Sequence, residues 1–351
     1  MIKYYFLIFF LVSDAYSNIF LNKNILITGG TGFLGRSLID ELLKCNPNKV
    51  RIFSRDEVKH FNISKNYNLS KLELMLGDVR DYESVIRATK DIDFVIHAAA
   101  LKRIDALEFN IAECIKTNLM GSYNVFNACL VNNVKKAVLV STDKACLPVN
   151  AYGACKFISE KIFSNYSRFN TKTIFDVVRY GNVLDSTGSV FPYFKERILI
   201  SSSLDITDER MTRFIISKER ATKLIFTALE FGLGGEIFVP RLPAFRILDV
   251  VDLFKKYNSN KNIKINVIGI RPGEKIHELM VGESESIRTY HFDDDSFVIL
   301  PTNADYELKE YYEKSKLRLE NQCAHSSENS VVSSEELECI LKANHILGDL
   351  E

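Results

Sequence analysis

The run Asn24-Ile25-Leu26-Ile27-Thr28-Gly29-Gly30-Thr31-Gly32-Phe33-Leu34-Gly35 decides the fold. A short apolar segment ends in glycines, and an apolar-periodic stretch, Phe33 to Leu43, follows. That order predicts strand, tight loop, helix. Glycine permits the turn and lets backbone approach a pyrophosphate closely. The helix N-terminus behind it offers free N–H groups and a partial positive charge. In this setting Gly29, Thr31, Gly32, Phe33, Leu34 and Gly35 are the expected cradle of a dinucleotide.

Working outward, strand-like runs recur at Lys49–Ser54, Leu72–Leu76, Asp93–Ala98, Lys136–Ser141 and Ile174–Arg179, with one long helix expected over Leu107–Asn132. Alternation of this kind predicts an α/β fold, a Rossmann-like doubly wound parallel sheet covered on both faces. After Gly181 the pattern changes. Helical stretches at Phe191–Leu199, Lys218–Phe231 and Leu248–Tyr257 alternate with short strands at Glu236–Val239 and Ile263–Ile268. They predict a smaller C-terminal α/β substrate domain over the carboxyl ends of the sheet. The expected organisation is an N-terminal extension over 1–18, a dinucleotide-binding domain over 19–183, and a substrate-binding region over 184–351, some of whose segments return to the first domain. Residues 302–337 are polar, with a serine-rich run Ser326–Ser334, and are expected to form a tail that is mobile or orders on ligand.

A length of 351 residues suits two domains. Lys plus Arg and Asp plus Glu both number 45, so the basic surface that nucleic-acid binding needs is not indicated. Apolar residues at 46% and charged residues at 26% are ordinary globular usage. Seven cysteines, with no pair at CxxC spacing, suggest neither a zinc site nor a disulfide framework. His97 and His277 have no ligand partners beside them, so no metal is expected. Lys3 followed by nine apolar residues and Ser13-Asp14-Ala15-Tyr16-Ser17 resembles a short signal. It reads as a cleaved signal, an apolar extension, or translation from an upstream start. The rest of the chain reads as cytoplasmic.

The end of the second strand chooses the cofactor. An NAD enzyme usually holds the ribose hydroxyls with a carboxylate there. Here the strand ends in Ser54-Arg55, a hydroxyl and a guanidinium suited to a 2′-phosphate, so NADP is favoured; Asp56 keeps NAD open. Asp78 and Val79 are placed to reach the adenine, and Ala98 and Ala99 leave room for the cofactor on the backbone. Tyr152 and Lys156, four residues apart, share a helical face. A nearby ammonium and the nicotinamide cation would favour the phenolate and make Tyr152 a usable base. Ser141-Thr142 lie at the preceding strand end. Asp143-Lys144 add a carboxylate and an amine, a second acid–base pair of the kind an elimination requires.

The set TGGTGFLG, FSRDE, GDVRD, HAAALK, KTN, STDKA, YGACK, RYGNV, TDERMTRF, GGEIFVP and RPGEKIHE resembles the extended short-chain dehydrogenase/reductase superfamily. Within it the chain is most similar to the soluble inverting UDP-N-acetylglucosamine 4,6-dehydratases of pseudaminic acid biosynthesis, in the polysaccharide biosynthesis protein family. The resemblance implies that Tyr152 takes the 4-OH proton, Lys144 the C5 proton, and that Asp143 protonates the departing 6-OH. Thr142 would hold the 4-oxygen and Lys156 the nicotinamide ribose. NADP would stay tightly bound and be regenerated each cycle. By the same resemblance, Lys102 faces cofactor and substrate, Asn182 meets sugar or diphosphate, Arg213 and Arg271 bind the diphosphate, and Glu274 the uridine ribose. A homo-oligomer, UDP-N-acetylglucosamine as partner and a cell-surface or flagellar glycan as destination follow from it too. A retaining dehydratase or a nucleotide-sugar 4-epimerase is the alternative enzyme, and a dinucleotide-binding sensor without turnover the alternative class. Cys146-Leu147 replace the family's usual small-polar pair, and Thr187 its usual arginine.

Overall fold

The computed structural model describes Tyr16 and residues 18–165, 172–200, 203–257, 263–316 and 324–347; of Leu199 it describes only the backbone. The signal-like run up to residue 15 lies outside the described residues. Strands β1 (Asn24–Thr28), β2 (Lys49–Ser54), β3 (Leu72–Leu76), β4 (Phe94–His97), β5 (Lys136–Val140) and β6 (Ile174–Val178) form the parallel part of the main sheet. The second half adds β7 (Asn182–Val183), β8 (Ser203–Ile206), β9 (Thr212–Ile216), β10 (Ile237–Pro240), β11 (Ala244–Arg246), β12 (Lys264–Val267), β13 (Leu279–Val281), β14 (Thr289–Asp293), β15 (Ser296–Ile299) and β16 (His325–Ser326).

The nine-stranded order is β14-β15-β10-β6-β5-β4-β1-β2-β3. β10 returns to pair parallel with β6, and the β14–β15 hairpin closes that edge antiparallel. β1 lies between β2 and β4, so the chain's winding reverses there. In doubly wound sheets this reversal opens the ligand crevice at the carboxyl ends. The β-branched strand residues explain the burial: Ile25, Ile27, Val50, Ile52, Val95, Val138 and Val177 are all fully buried between helices. A second core, around Leu184, Phe191, Phe194, Leu204, Phe245, Val251 and Phe254, covers the crevice from the other side.

Three expectations differ from the structure. The helix expected over Leu107–Asn132 starts at Ile111, after a separate turn Ile104–Leu107, and runs on to Val131 with a π-helical turn, Ile115–Met120, inserted between Ile111–Cys114 and Gly121–Val131. The turn carries fully buried Asn118, whose amide donates to Leu101 O and accepts from Leu101 N, both at 2.8 Å. Satisfying a buried amide overrides helical periodicity here, as π-turns near functional sites often do.

The polar stretch expected as a mobile tail holds the helices Tyr306–Ser315 and the start of Ser334–Ala343. Each buries a narrow stripe, Leu308 and Tyr312 in one, Leu337 and Leu341 in the other. Polar composition hid two amphipathic helices.

The boundary after residue 18 also shifts. Tyr16 is already buried, its hydroxyl 2.8 Å from Thr227 Oγ1, and the Phe20 ring lies 4.6 Å from that of Phe226. Among the described residues no helix is long and apolar enough to cross a membrane.

Candidate active site

The glycine loop forms a cradle by steric necessity. Gly29 has φ +70°, and a Cβ there would lie 2.8 Å from Ala99 Cα. A Cβ on Gly35 would lie 2.2 Å from Gly30 O. Only glycine lets the loop fold back on itself and against the β4 end. Thr31 Oγ1 bonds Ser54 Oγ at 2.9 Å, tying the loop to the β2 end. Asp56 caps the helix Glu57–Asn66 by accepting from Lys59 N at 3.0 Å. Its carboxylate is thereby committed to the backbone. Arg36, Arg55, Asp56 and Lys59 line the crevice beside Ser54.

One cavity of about 1560 Å³ runs from this cradle to the second core. Gly29, Thr31, Gly32, Phe33, Leu34, Gly35, Ser54, Arg55, Val79, Ala98, Ala99, Lys102, Ser141, Thr142, Lys144, Tyr152, Lys156, Asn182, Arg213, Arg271 and Glu274 all line it. Two residues expected at the site do not. Asp78 turns its carboxylate to Arg80 (2.7 Å) and Arg55 (3.5 Å), leaving Gly77 and Val79 on the cavity wall. Asp143 is fully buried behind the wall. Its Oδ1 accepts from Thr142 Oγ1 at 2.9 Å and Lys144 Nζ at 3.0 Å, and its Oδ2 is a buried atom with no hydrogen-bond partner.

The helix Ala151–Ser164 carries Tyr152 and Lys156, and its start is set by Asn150, whose Oδ1 accepts from Gly153 N at 2.7 Å. A Cβ on Gly153 would lie 2.2 Å from Lys144 O. The glycine therefore lets the helix abut the Thr142–Lys144 turn, and Tyr152 comes beside Lys144. Asn150 also donates to Gly273 O at 2.7 Å, which ties the Arg271–Glu274 turn to the same helix end.

Electrostatics differ from expectation at the phenol. Burial pushes Tyr152 up to about 12, against the opposing pull of the Lys144 charge and a hydrogen bond with Thr142. At rest it is a neutral phenol. Burial pulls Lys156 down to about 8, and its Nζ donates to Val140 O at 2.8 Å. For Lys144, burial works to lower the pKa, but the Asp143 and Glu278 carboxylates outweigh it and hold the group above the usual lysine range. His97 is fully buried between Thr28 Oγ1 (2.7 Å) and Ser122 Oγ (3.0 Å), and burial pulls its pKa down to about 3. Arg213, expected on the diphosphate, lines the cavity with its guanidinium spent partly on Thr212 O and Ile276 O, at 2.8 and 3.1 Å.

Sequence reasoning missed a buried network beneath the site. Arg179 bonds Glu160 (2.7 and 3.0 Å), Glu285 (2.7 and 2.9 Å) and Met280 O (2.9 Å). Glu160 also accepts from Ser141 Oγ at 2.6 Å, joining the β5 end to the Tyr152 helix. It missed Lys275, which donates to Cys146 O at 2.7 Å, and Glu278, 3.6 Å from Lys144. Arg179, Lys275 and Glu278 sat inside quoted motifs, but their partners lie too far along the chain for spacing to reveal.

A profile described as "Polysaccharide biosynthesis protein" matches residues 25–300. The chain belongs to that family. A protein of Campylobacter jejuni named "UDP-N-acetylglucosamine 4,6-dehydratase (inverting)" is 43% identical over 338 residues, covering 94% of this chain and 99% of the relative. A Rickettsia bellii protein named "UDP-glucose 4-epimerase" is 38% identical over 343 residues, covering 95% and 99%. Among solved structures, Pen from Bacillus thuringiensis superimposes with a TM-score of 0.85 at 33% identity, covering 93% of this chain and 99% of that one. DesIV of Streptomyces venezuelae, a dTDP-glucose 4,6-dehydratase with NAD bound, shares the fold at a TM-score of 0.64 and 19% identity, covering 72% and 86%.

Proposed function

We propose that the chain is an NADP-dependent UDP-N-acetylglucosamine 4,6-dehydratase that inverts C5, a hydro-lyase. Its product would be a UDP-4-keto-6-deoxy-L-arabino-HexNAc for cell-surface or flagellar glycan synthesis. The observation that carries the reading is Lys144 on the wall beside Tyr152, with the Asp143 carboxyl buried 3.0 Å behind its Nζ. A reductase or simple epimerase has no use for that second pair.

A nicotinamide dinucleotide on the glycine cradle supplies a hydride acceptor that returns its hydride later, and a positive ring that favours the phenolate. Tyr152 takes the proton of the sugar 4-OH while Thr142 holds that oxygen. The resulting ketone acidifies the neighbouring C5–H. Lys144 removes that proton, and Asp143, reaching the cavity across Thr142 and Lys144, supplies the proton with which the 6-OH leaves as water. C6 then receives the hydride that left C4, and C5 a proton from the opposite face. Lys102 faces cofactor and substrate, Asn182 meets the sugar or diphosphate, Arg213 and Arg271 hold the diphosphate, and Glu274 holds the uridine ribose. Lys156 holds the cofactor ribose.

The test is incubation with UDP-N-acetylglucosamine in D₂O. Solvent deuterium at C5 of an L-arabino 4-keto-6-deoxy product supports the reading; a C4 epimer with no keto sugar refutes it. The 38% identity to proteins named UDP-glucose 4-epimerase gives that second activity its footing, and the same NMR spectrum with UDP-glucose decides it. The reading includes a cytoplasmic homo-oligomer. Outward-facing Phe109, Ile111, Met120, Tyr123 and Ile158 support self-association, which light scattering measures.

A further inference from the structure

Glu278 has no part in the chemistry above, yet it lies against its base. It is 3% exposed, with Oε1 3.6 Å from Lys144 Nζ and 3.9 Å from Arg213 Nε. Oε2 is 3.9 Å from Lys275 Nζ and makes no hydrogen bond. The backbone is pinned: Glu278 N donates to Ser327 Oγ and Glu278 O accepts from Ser327 N, both at 2.9 Å. Ser327 in turn is anchored to Thr212 Oγ1 at 2.7 Å. The stretch that composition marked as a tail thus fixes a carboxylate under the active site.

The groups facing Lys144 can be named from each side. Its own turn contributes Thr142 and Asp143, the helix Tyr152, β7 Asn182 (Oδ1 at 3.4 Å), β9 Arg213, and the approach to β13 Glu278. Two carboxylates therefore flank one ammonium. Arg213 opposes that charge, and Lys275 competes for Glu278.

We propose that Glu278 is a positioning residue for Lys144: it holds Nζ in place and stabilises the ammonium that forms when this side chain takes a proton from carbon. The inference rests on the reading of Lys144 as the C5 base. The protons balance without help from solvent. At rest Nζ is an ammonium donating to Asp143 Oδ1. One proton crosses that 3.0 Å bond, leaving an amine and a carboxylic acid with no change in total charge. The amine takes H5 as the C5–H bond breaks, and the electron pair enters the C5–C6 bond as the C6–O bond breaks. The carboxylic acid passes its proton through the Thr142 hydroxyl, 2.9 Å from Asp143 Oδ1, to the departing 6-hydroxyl, which leaves as water. Ammonium and carboxylate are restored. Glu278 exchanges no proton; its effect on rate comes from holding Nζ in place, since its charge favours the ammonium alike before and after the transfer.

The test needs a readout independent of the substrate. The full chain and its Glu278→Gln variant are labelled with acetic anhydride at pH 8, and Lys144 is quantified by peptide mass spectrometry against exposed Lys59. Loss of the Glu278 charge is expected to raise Lys144 labelling at least tenfold while buried Lys156, in the same cavity, stays at the wild-type level. Glu278→Asp, which draws the charge back by one methylene, is expected to change labelling in the same direction by less, and serves if the Gln variant does not fold. In D₂O with UDP-N-acetylglucosamine, the Gln variant is expected to lose at least tenfold in kcat for C5 deuterium uptake with KM within twofold. Unchanged Lys144 labelling, or Lys156 rising in step with it, overturns the inference whatever sugar the enzyme uses. A wild-type enzyme that makes no keto sugar, with the labelling change present, sinks the proposed function and leaves the electrostatic assignment standing.

Discussion

Replacing Arg179 by methionine removes the guanidinium that bridges the buried carboxylates of Glu160 and Glu285. Arg179 is fully buried and makes five hydrogen bonds, four of them to Glu160 and Glu285. Burial by itself would push Glu285 up, but the charge and hydrogen bonds of Arg179 win and hold it at about 2, against an ordinary 4.5. A depression of that size contributes about 3 kcal/mol at neutral pH. The contribution is complete above pH 4.5 and is lost as pH falls from 4.5 towards 2. Breaking a buried ion pair from one side typically costs about 3–5 kcal/mol, so the two routes agree.

In the variant burial is opposed only by the Gly282 N–H bond and the more distant Arg288 charge, so the Glu285 pKa is expected to rise and the group to oppose folding at neutral pH. The variant therefore gains stability on going from pH 7.5 to pH 5, while the wild type is unaffected by this group over that window. Thermal midpoints are measured at both pH values. The expected gap at pH 7.5 is roughly 4–7 °C, narrowing at pH 5. A gap under about 2 °C, or one that is equal or wider at pH 5, would refute the reasoning. Since Glu160 also bonds Ser141, the variant is expected to lose turnover as the Thr142 turn loosens from the Tyr152 helix.

Three further outcomes are expected. The Tyr152 phenol, raised by burial to about 12, titrates by difference absorbance against Tyr152→Phe near that pH without cofactor and at least one pH unit lower with NADP⁺; a titration indifferent to NADP⁺ would show that the cofactor charge does not reach it. Arg55→Ala weakens NADP binding about tenfold and leaves NAD within twofold, measured by calorimetry, because the guanidinium is expected to meet only the extra phosphate. Leu147 is 60% exposed with φ +47°, a backbone region that asparagine tolerates and leucine does not favour. Leu147→Asn is therefore expected to raise stability by about 0.5–1 kcal/mol, read as a thermal midpoint 1–3 °C higher.

The amino-acid sequence by itself determined what short range governs. Alternation of apolar runs with glycine turns marked β1 to β6 and the cradle, because strand, turn and helix preferences act over a few residues. It also brought Thr142, Lys144, Tyr152 and Lys156 into view, since one strand end and one helical turn carry them all. Only the tertiary structure decided the rest. Asp143 faces inward, Glu278 reaches Lys144 from far along the chain through the fold rather than by spacing, and Asn118 sits in a π-turn inside a helix that periodicity drew as regular. The polar segment that carries Ser327 anchors the active-site floor. These outcomes turn on which buried polar atoms find partners. That is a condition on the packed chain as a whole, because the cost of an unpaired group appears only once water has been excluded.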